Sequence, residues 1–307
     1  MKGLVKWRKG AGGRIEDRRG AGGGFGGGGL GGGFPIPMGK AGGGGLGLIV
    51  MVVIYLLIGG LPGGGGGGGF GIDPGTGGLG AAPAGSGALD EAPQDDDEQQ
   101  AFVRFVTGNI DDTWRKVFSE GGQTYEPPTT VLYQRGVQTN GCGSAASAVG
   151  PFYCPADQKI YIDLSFFREL SERFGAPGDF ARAYVIAHEV GHHVQNLLGV
   201  SDDVNRQRQE DPGSANELSV RLELQADCLA GVWAHSAYEQ QLLEPGDLEE
   251  GLGAAAAVGD DRIQQQSGRQ IDRESWTHGS SEQRQRWFQK GFDGGDPRAC
   301  DTFAGDL

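Results

Sequence analysis

The stretch Ala187-His188-Glu189-Val190-Gly191-His192-His193 carries the pattern His-Glu-x-x-His. On a helix, a spacing of four puts both imidazoles on one face, one turn apart, where they can share a metal ion. Glu189 then stands beside that metal without ligating it, placed to take a proton from a water held there. That is the chemistry of a zinc peptidase.

Two histidines are half of such a site, and a third protein ligand is needed with one position left open for water. Glu223, in Glu223-Leu224-Gln225-Ala226-Asp227, is the best candidate. Asp227 is four residues on and shares its face, so it can accept the second N–H of a liganding His and fix that ring's tautomer. The pair sits on an apolar stripe with Leu222, Ala226 and Leu229. Two carboxylates without partners would be costly to bury there.

Helical signals surround both segments. Pro177-Gly178-Asp179 punctuates the chain, Asp179 is a candidate N-cap, and Gly199 closes a helix over 180–198. After a polar loop at 201–212, Ser214-x-x-Glu217 reads as a capping box opening a helix to about Ala237. Further helices are expected over about 97–120, after Asp247, and over 282–292 with Ser281 as cap. Thr129 to Gln138 and Lys159 to Leu164 read as strands, either of which is a candidate edge for holding an extended peptide. The expected class is α+β: a mostly helical domain with a small sheet.

Composition divides the chain unevenly. Most of its 60 glycines lie in the first 90 residues, a segment that cannot bury a core. Residues 1–41 read as a Gly-rich basic tail, and 42–61 as an uncharged stretch long enough to cross a bilayer core of about 30 Å. Residues 62–97 read as a flexible Gly/acidic linker, and 98–307 as the folded domain. The basic residues precede the apolar stretch and only acids follow it closely, which puts the N-terminus in the cytoplasm and the domain outside, in the bacterial periplasm or its equivalent. A cleaved signal peptide fits less well, since the charged lead is long and no small-x-small site follows directly. The net charge of −14 argues against a nucleic-acid partner.

The motif set resembles two known groups. His188-Glu-Val-Gly-His192 followed by Glu223-x-x-x-Asp227 looks like the gluzincin arrangement of thermolysin-like metallopeptidases. The stretches Gly150-Pro-Phe-Tyr-Cys-Pro155, Glu223-Leu-Gln-Ala-Asp-Cys-Leu-Ala-Gly-Val-Trp233 and His278-Gly-Ser-Ser-Glu-Gln-Arg284 resemble the bacterial putative neutral zinc metallopeptidases, and the resemblance covers nearly the whole chain. It implies a zincin-like fold, Zn²⁺ and peptide or protein substrates. By analogy with gluzincins that use a His or Tyr on the oxyanion, His278 is a catalytic candidate, with a capping or structural role as the alternative. His193 points away from the metal and reads as packing or as support behind the ligands; His235 reads as a helix-surface residue.

Four cysteines on the expected outer side favour disulfides, and none forms C-x-x-C. Of three possible pairings, Cys142 with Cys154 and Cys228 with Cys300 is the expected one. The reading that follows is a membrane-anchored zinc metallopeptidase in which His188, His192 and Glu223 hold Zn²⁺ and Glu189 is the base. Its rivals are a non-catalytic envelope protein with a structural or vestigial zinc site, and a metallohydrolase acting on non-peptide amides.

Overall fold

The computed structural model describes residues 12–20, 96–146 and 149–307. The apolar stretch 42–61 and nearly all of the expected linker lie outside these residues. Among the described residues no helix is long and apolar enough to cross a membrane.

A strand at Arg14–Asp17 (β1) precedes a long helix, Asp96–Glu120 (α1). Five strands follow: Thr129–Tyr133 (β2), Gly136–Gln138 (β3), Ser144–Ala146 (β4), Phe152–Cys154 (β5) and Lys159–Asp163 (β6). Helices then dominate: Ser165–Glu172 (α2), Asp179–Leu197 (α3), Val200–Glu210 (α4), Ala215–Glu239 (α5), Asp247–Ala257 (α6), Asp260–Gln266 (α7) and Ser281–Gly294 (α8). The class is α+β, mostly helical with a small mixed sheet.

The main sheet runs β1-β2-β6-β5, with β1, β2 and β6 parallel and β5 antiparallel to β6. Alternation along each strand sends side chains to both faces. Leu132, Ile160, Ile162 and Tyr153 join the core under the helices, while Val131, Tyr133, Phe152 and Tyr161 form a second cluster on the other face, against the β3–β4 hairpin. Residue Arg135 turns the chain between β2 and β3 with φ 67°, so the one strand expected over 129–138 is two.

Several expected boundaries move. Arg14–Asp17, read as part of a tail separate from the domain, is a strand of its sheet. The residues read as a polar loop at 201–212 are mostly α4, which buries only Ser201 and Val204 and so shows little apolar periodicity. Gly178, not Asp179, caps α3, at φ 115°, and Glu250 of α6 supplies the acceptor for the Phe180 N–H at 3.2 Å. Ser214 makes no side-chain cap for α5: its hydroxyl donates back to the Asp211 carbonyl at 2.9 Å, and Glu217 pairs with Arg221. The capping box of α8 belongs to Ser280 and Gln283, one residue before the expected cap.

Helix α1 packs Phe102, Val106, Ile110, Trp114 and Phe118 into the core, and one acid, Asp111, goes in with them at 2% exposure. Burial pushes its carboxyl up to about 7, although the Tyr125 hydroxyl donates to it at 3.1 Å. A carboxyl raised in the folded state contributes stability at low pH and loses it as pH climbs through its folded value. Unfolding midpoints are therefore expected to fall between about pH 4 and pH 7 more steeply in the native chain than in Asp111→Asn. Equal slopes would count against it.

Candidate metal centre

Helix α3 is buried along most of its length, which fixes where its imidazoles point. The His188 and His192 rings lie with centroids 4.8 Å apart, edge to face. Gly191, inside the motif, lets α5 come close: a Cβ there would stand 2.9 Å from the Ala226 carbonyl oxygen. That approach brings Glu223 to the imidazoles, Oε2 at 3.2 Å from His188 Nε2 and Oε1 at 3.5 Å from His192 Nε2. The three donor atoms lie within 4.8 Å of one another, and among the described residues no fourth His, Cys, Asp or Glu joins them.

Each ring is oriented from behind. The His188 Nδ1–H donates to Asp227 Oδ1 at 2.8 Å, and the His192 Nδ1–H donates to Gln195 Oε1 at 2.9 Å, with the Gln195 amide donating in turn to the Leu222 carbonyl at 2.7 Å. Both Nε2 atoms are thereby directed at Glu223. Asp227 has no solvent exposure and is saturated: the Tyr184 hydroxyl and Arg284 Nη2 (2.9 Å) also donate to Oδ1, and Arg284 Nε donates to Oδ2 at 2.8 Å. Burial opposes ionisation of Asp227, but Arg284 and His188 outweigh it and hold its carboxyl below the usual range.

The donor set fits a zinc ion: two imidazoles whose remote nitrogens are tied down and one carboxylate, all buried. Burial disfavours a charged imidazole at His188, yet Asp227 and Glu223 raise it to about 10 in the metal-free chain. Zinc uptake must then release a proton, so apparent affinity is expected to weaken as pH falls. Asp227→Asn should weaken zinc binding roughly 10–100-fold, read by competition with a chelating dye. Unchanged affinity would show that His188 does not need its partner.

Glu189 faces the same space. Burial raises its carboxyl above the ordinary value, against the pull of His192 and His188, and the Tyr153 backbone on β5 donates a hydrogen bond to it. A cavity of about 170 Å³ opens over the cluster, lined by His188, Glu189, His192, Glu223 and His278 on one side and by Val149, Pro151, Phe166, Phe174, Val258 and Ile263 around it. One water needs roughly 10–15 Å³ on this measure, so the space admits a substrate side chain.

The edge strand beside the cavity is β5, neither of the two strands expected. β2 and β6 both have neighbours on each side, whereas among the described residues β5 pairs only with β6, and it contributes Phe152 and Tyr153 to the cavity wall. Three residues are too few to show a period of two, so the sequence did not announce it.

His278 reaches this cavity from the loop before α8. Its Nδ1 lies 3.0 Å from Asp260 Oδ1, while Asp260 Oδ2 accepts the backbone N–H groups of Thr277, His278 and Gly279 at 2.8, 2.6 and 3.1 Å. Burial works against a charged His278, but Asp260, then Glu223, raises its pKa. The sequence gives no sign of the roles of Asp260, Gln195, Tyr184 and Arg284. Nothing in their local spacing marks them.

The remaining expectations fall out plainly. His193 is fully buried, bonded to the Tyr153 hydroxyl at 3.0 Å and the Glu126 carbonyl at 2.7 Å, so it ties α3 to β5. His235, expected on a surface, bonds the Phe292 carbonyl at 2.6 Å and joins α5 to α8. Both disulfides pair as expected, Cys142–Cys154 at the end of β5 and Cys228–Cys300 beside Asp227.

Residues 5–303 match the model of the putative neutral zinc metallopeptidases. The chain belongs to that family. Among its relatives, the uncharacterized protein YpfJ of Escherichia coli K12 is 46% identical over 292 residues, covering 94% of this chain and 95% of that protein. The uncharacterized proteins Mb2605 of Mycobacterium bovis and Rv2575 of Mycobacterium tuberculosis are each 50% identical over 215 residues, covering 66% of this chain and 70% of theirs. No solved structure matches the chain.

Proposed function

We propose that this member of the family is an active zinc-dependent metallopeptidase of zincin-like fold. The observation that carries the reading is the convergence of a three-donor cluster, a base and an edge strand on one cavity. A structural zinc site would close its coordination with a fourth side chain, and the described cluster offers three.

Bound zinc would supply Lewis acidity, polarising the peptide carbonyl and making water a nucleophile near neutral pH. The chain's own residues do the rest. The free edge of β5 pairs with an extended substrate backbone and lays one peptide bond across the cluster. The Glu189 carboxylate takes the proton of the attacking water and passes it to the leaving amide nitrogen. His278, its Nδ1 held by Asp260, donates from Nε2 to the carbonyl oxygen as charge develops there. The apolar wall of the cavity receives a bulky uncharged side chain next to the bond cleaved.

Two disulfides support a domain that works outside the cytoplasm, and the uncharged stretch 42–61 supports association with a membrane. A mixed peptide library incubated with zinc-loaded protein is expected to be cut beside large apolar residues, with cutting abolished by a chelator and restored by zinc. A fully loaded chain that cleaves no peptide would overturn the reading, and hydrolysis of non-peptide amides alone would favour the neighbouring class.

A further inference from the structure

Strand β1 lies 112 residues before the nearest residue of β2 that it would have to find, yet it is built into the domain rather than resting on it. Its register against β2 is complete, from Arg14 with Thr129 to Asp17 with Leu132. At its two ends the Gly13 N–H donates to the Arg104 carbonyl of α1 and the Arg18 N–H to the Leu132 carbonyl, both at 2.8 Å. Ile15 packs on the main core. Charges fasten the outside: Lys159 pairs with Glu16 at 2.7 Å, Arg18 donates to the Gln138 carbonyl at 3.1 Å, and Arg19 donates to the Asp96 carbonyl at 2.9 Å.

The seat on α1 is shaped for this segment. A Cβ on Gly12 would stand 2.1 Å from the Arg104 carbonyl oxygen, one on Gly13 would stand 2.1 Å from Thr107 Oγ1, and one on Gly108 would stand 2.6 Å from the Gly12 Cα. Three positions that admit only glycine meet at one contact between distant parts of the chain. Without β1, the β2 backbone would be an open sheet edge carrying Val131, Leu132 and Tyr133, each at most 1% exposed in the closed sheet.

A membrane makes this contact consequential. Residues 14–17 and 129–133 flank the apolar stretch 42–61, and a chain that crossed a bilayer once there would hold them apart by about 30 Å of hydrocarbon. Backbone hydrogen bonds between them are then impossible. Supplying the strand from a second copy changes nothing, because every copy would have its N-terminus on the far side from every domain. We propose that residues 12–20 are a strand of the folded domain and share its compartment, so that the chain does not cross a membrane a single time between residue 20 and residue 96. The disulfides then place the N-terminus, with the domain, outside the cytoplasm. This inference does not depend on peptidase activity.

All four native cysteines are paired, so a single introduced thiol reports one position. Gly20→Cys and Gly294→Cys sit at exposed sites with nothing within 4 Å of an added Cβ. Each is introduced into the full chain and treated with a membrane-impermeant maleimide on intact spheroplasts and again after lysis. Both thiols are expected to label under the same condition. Labelling of one in intact spheroplasts and of the other only after lysis would overturn the proposal. Amide exchange in the purified full chain tests the docking itself: residues 14–18 should exchange at least about 100-fold more slowly in the native chain than in Gly13→Leu, whose side chain cannot fit against Thr107. Fast exchange of these amides in the native chain would overturn it equally.

Discussion

Glu189→Gln is expected to keep its full complement of zinc and lose peptide hydrolysis by roughly 10²–10⁴-fold. The amide has the shape of the carboxylate and can still accept from the Tyr153 backbone, so β5 and the cavity wall have no reason to move. His188, His192 and Glu223 are untouched, so the metal has no reason to leave. What disappears is a carboxylate facing the cavity that can take a proton from water, since Glu223 faces the two imidazoles. The measurement is zinc content beside turnover of one cleaved peptide. Turnover within tenfold of the native chain would remove Glu189 from the proton path, whatever the zinc content.

Arg284→Met is expected to cost about 3–5 kcal/mol of stability, because it strips a buried carboxylate of its counter-charge without removing the carboxylate. Asp227 is wholly enclosed, and Arg284, at 3% exposure, gives it two of its hydrogen bonds. Methionine fills much of the same volume, so lost packing is a small part of the effect. Urea midpoints measure it, and a cycle with Asp227→Asn identifies the cause. Once the carboxylate is neutral, replacing Arg284 should cost markedly less than it does in the native background. Strictly additive losses would mean that the pair is not what holds the two helices. Arg284→Lys should recover only part, since an ammonium cannot span both carboxylate oxygens as the guanidinium does.

The three candidate metal donors were legible because their positions follow from helix geometry within short windows: a spacing of four from His188 to His192, and one apolar face shared by Glu223 and Asp227. The disulfides were legible from an even count and an expected compartment. Arg284, Tyr184, Gln195 and Asp260 were not, since each acquires its role through a partner 18 to 100 residues away whose position depends on the whole fold. The strands flanking the sheet were illegible for another reason. β5 is three residues long and β1 four, and β1 stands in a glycine-rich region whose composition alone suggests no structure. Asp179 and Ser214 illustrate a third limit: a residue of the right type at a helix start does not cap it when a more distant carboxylate, or a competing partner, takes the hydrogen bond.

The Cys228–Cys300 bond sits one residue from Asp227, and Arg284 and His278 also come from the end of the chain. A ribosome delivers His188, His192 and Glu223 well before it delivers these three. A nascent chain therefore holds the three candidate donors for some time while the carboxylate behind His188 lacks its guanidinium, the cavity lacks His278, and α5 lacks its covalent tie. Synthesis from N- to C-terminus thus delays completion of the candidate metal centre until the last segment has emerged, and the covalent lock waits for oxidation of Cys300. The order in which the residues occur along the chain sets when the site is complete.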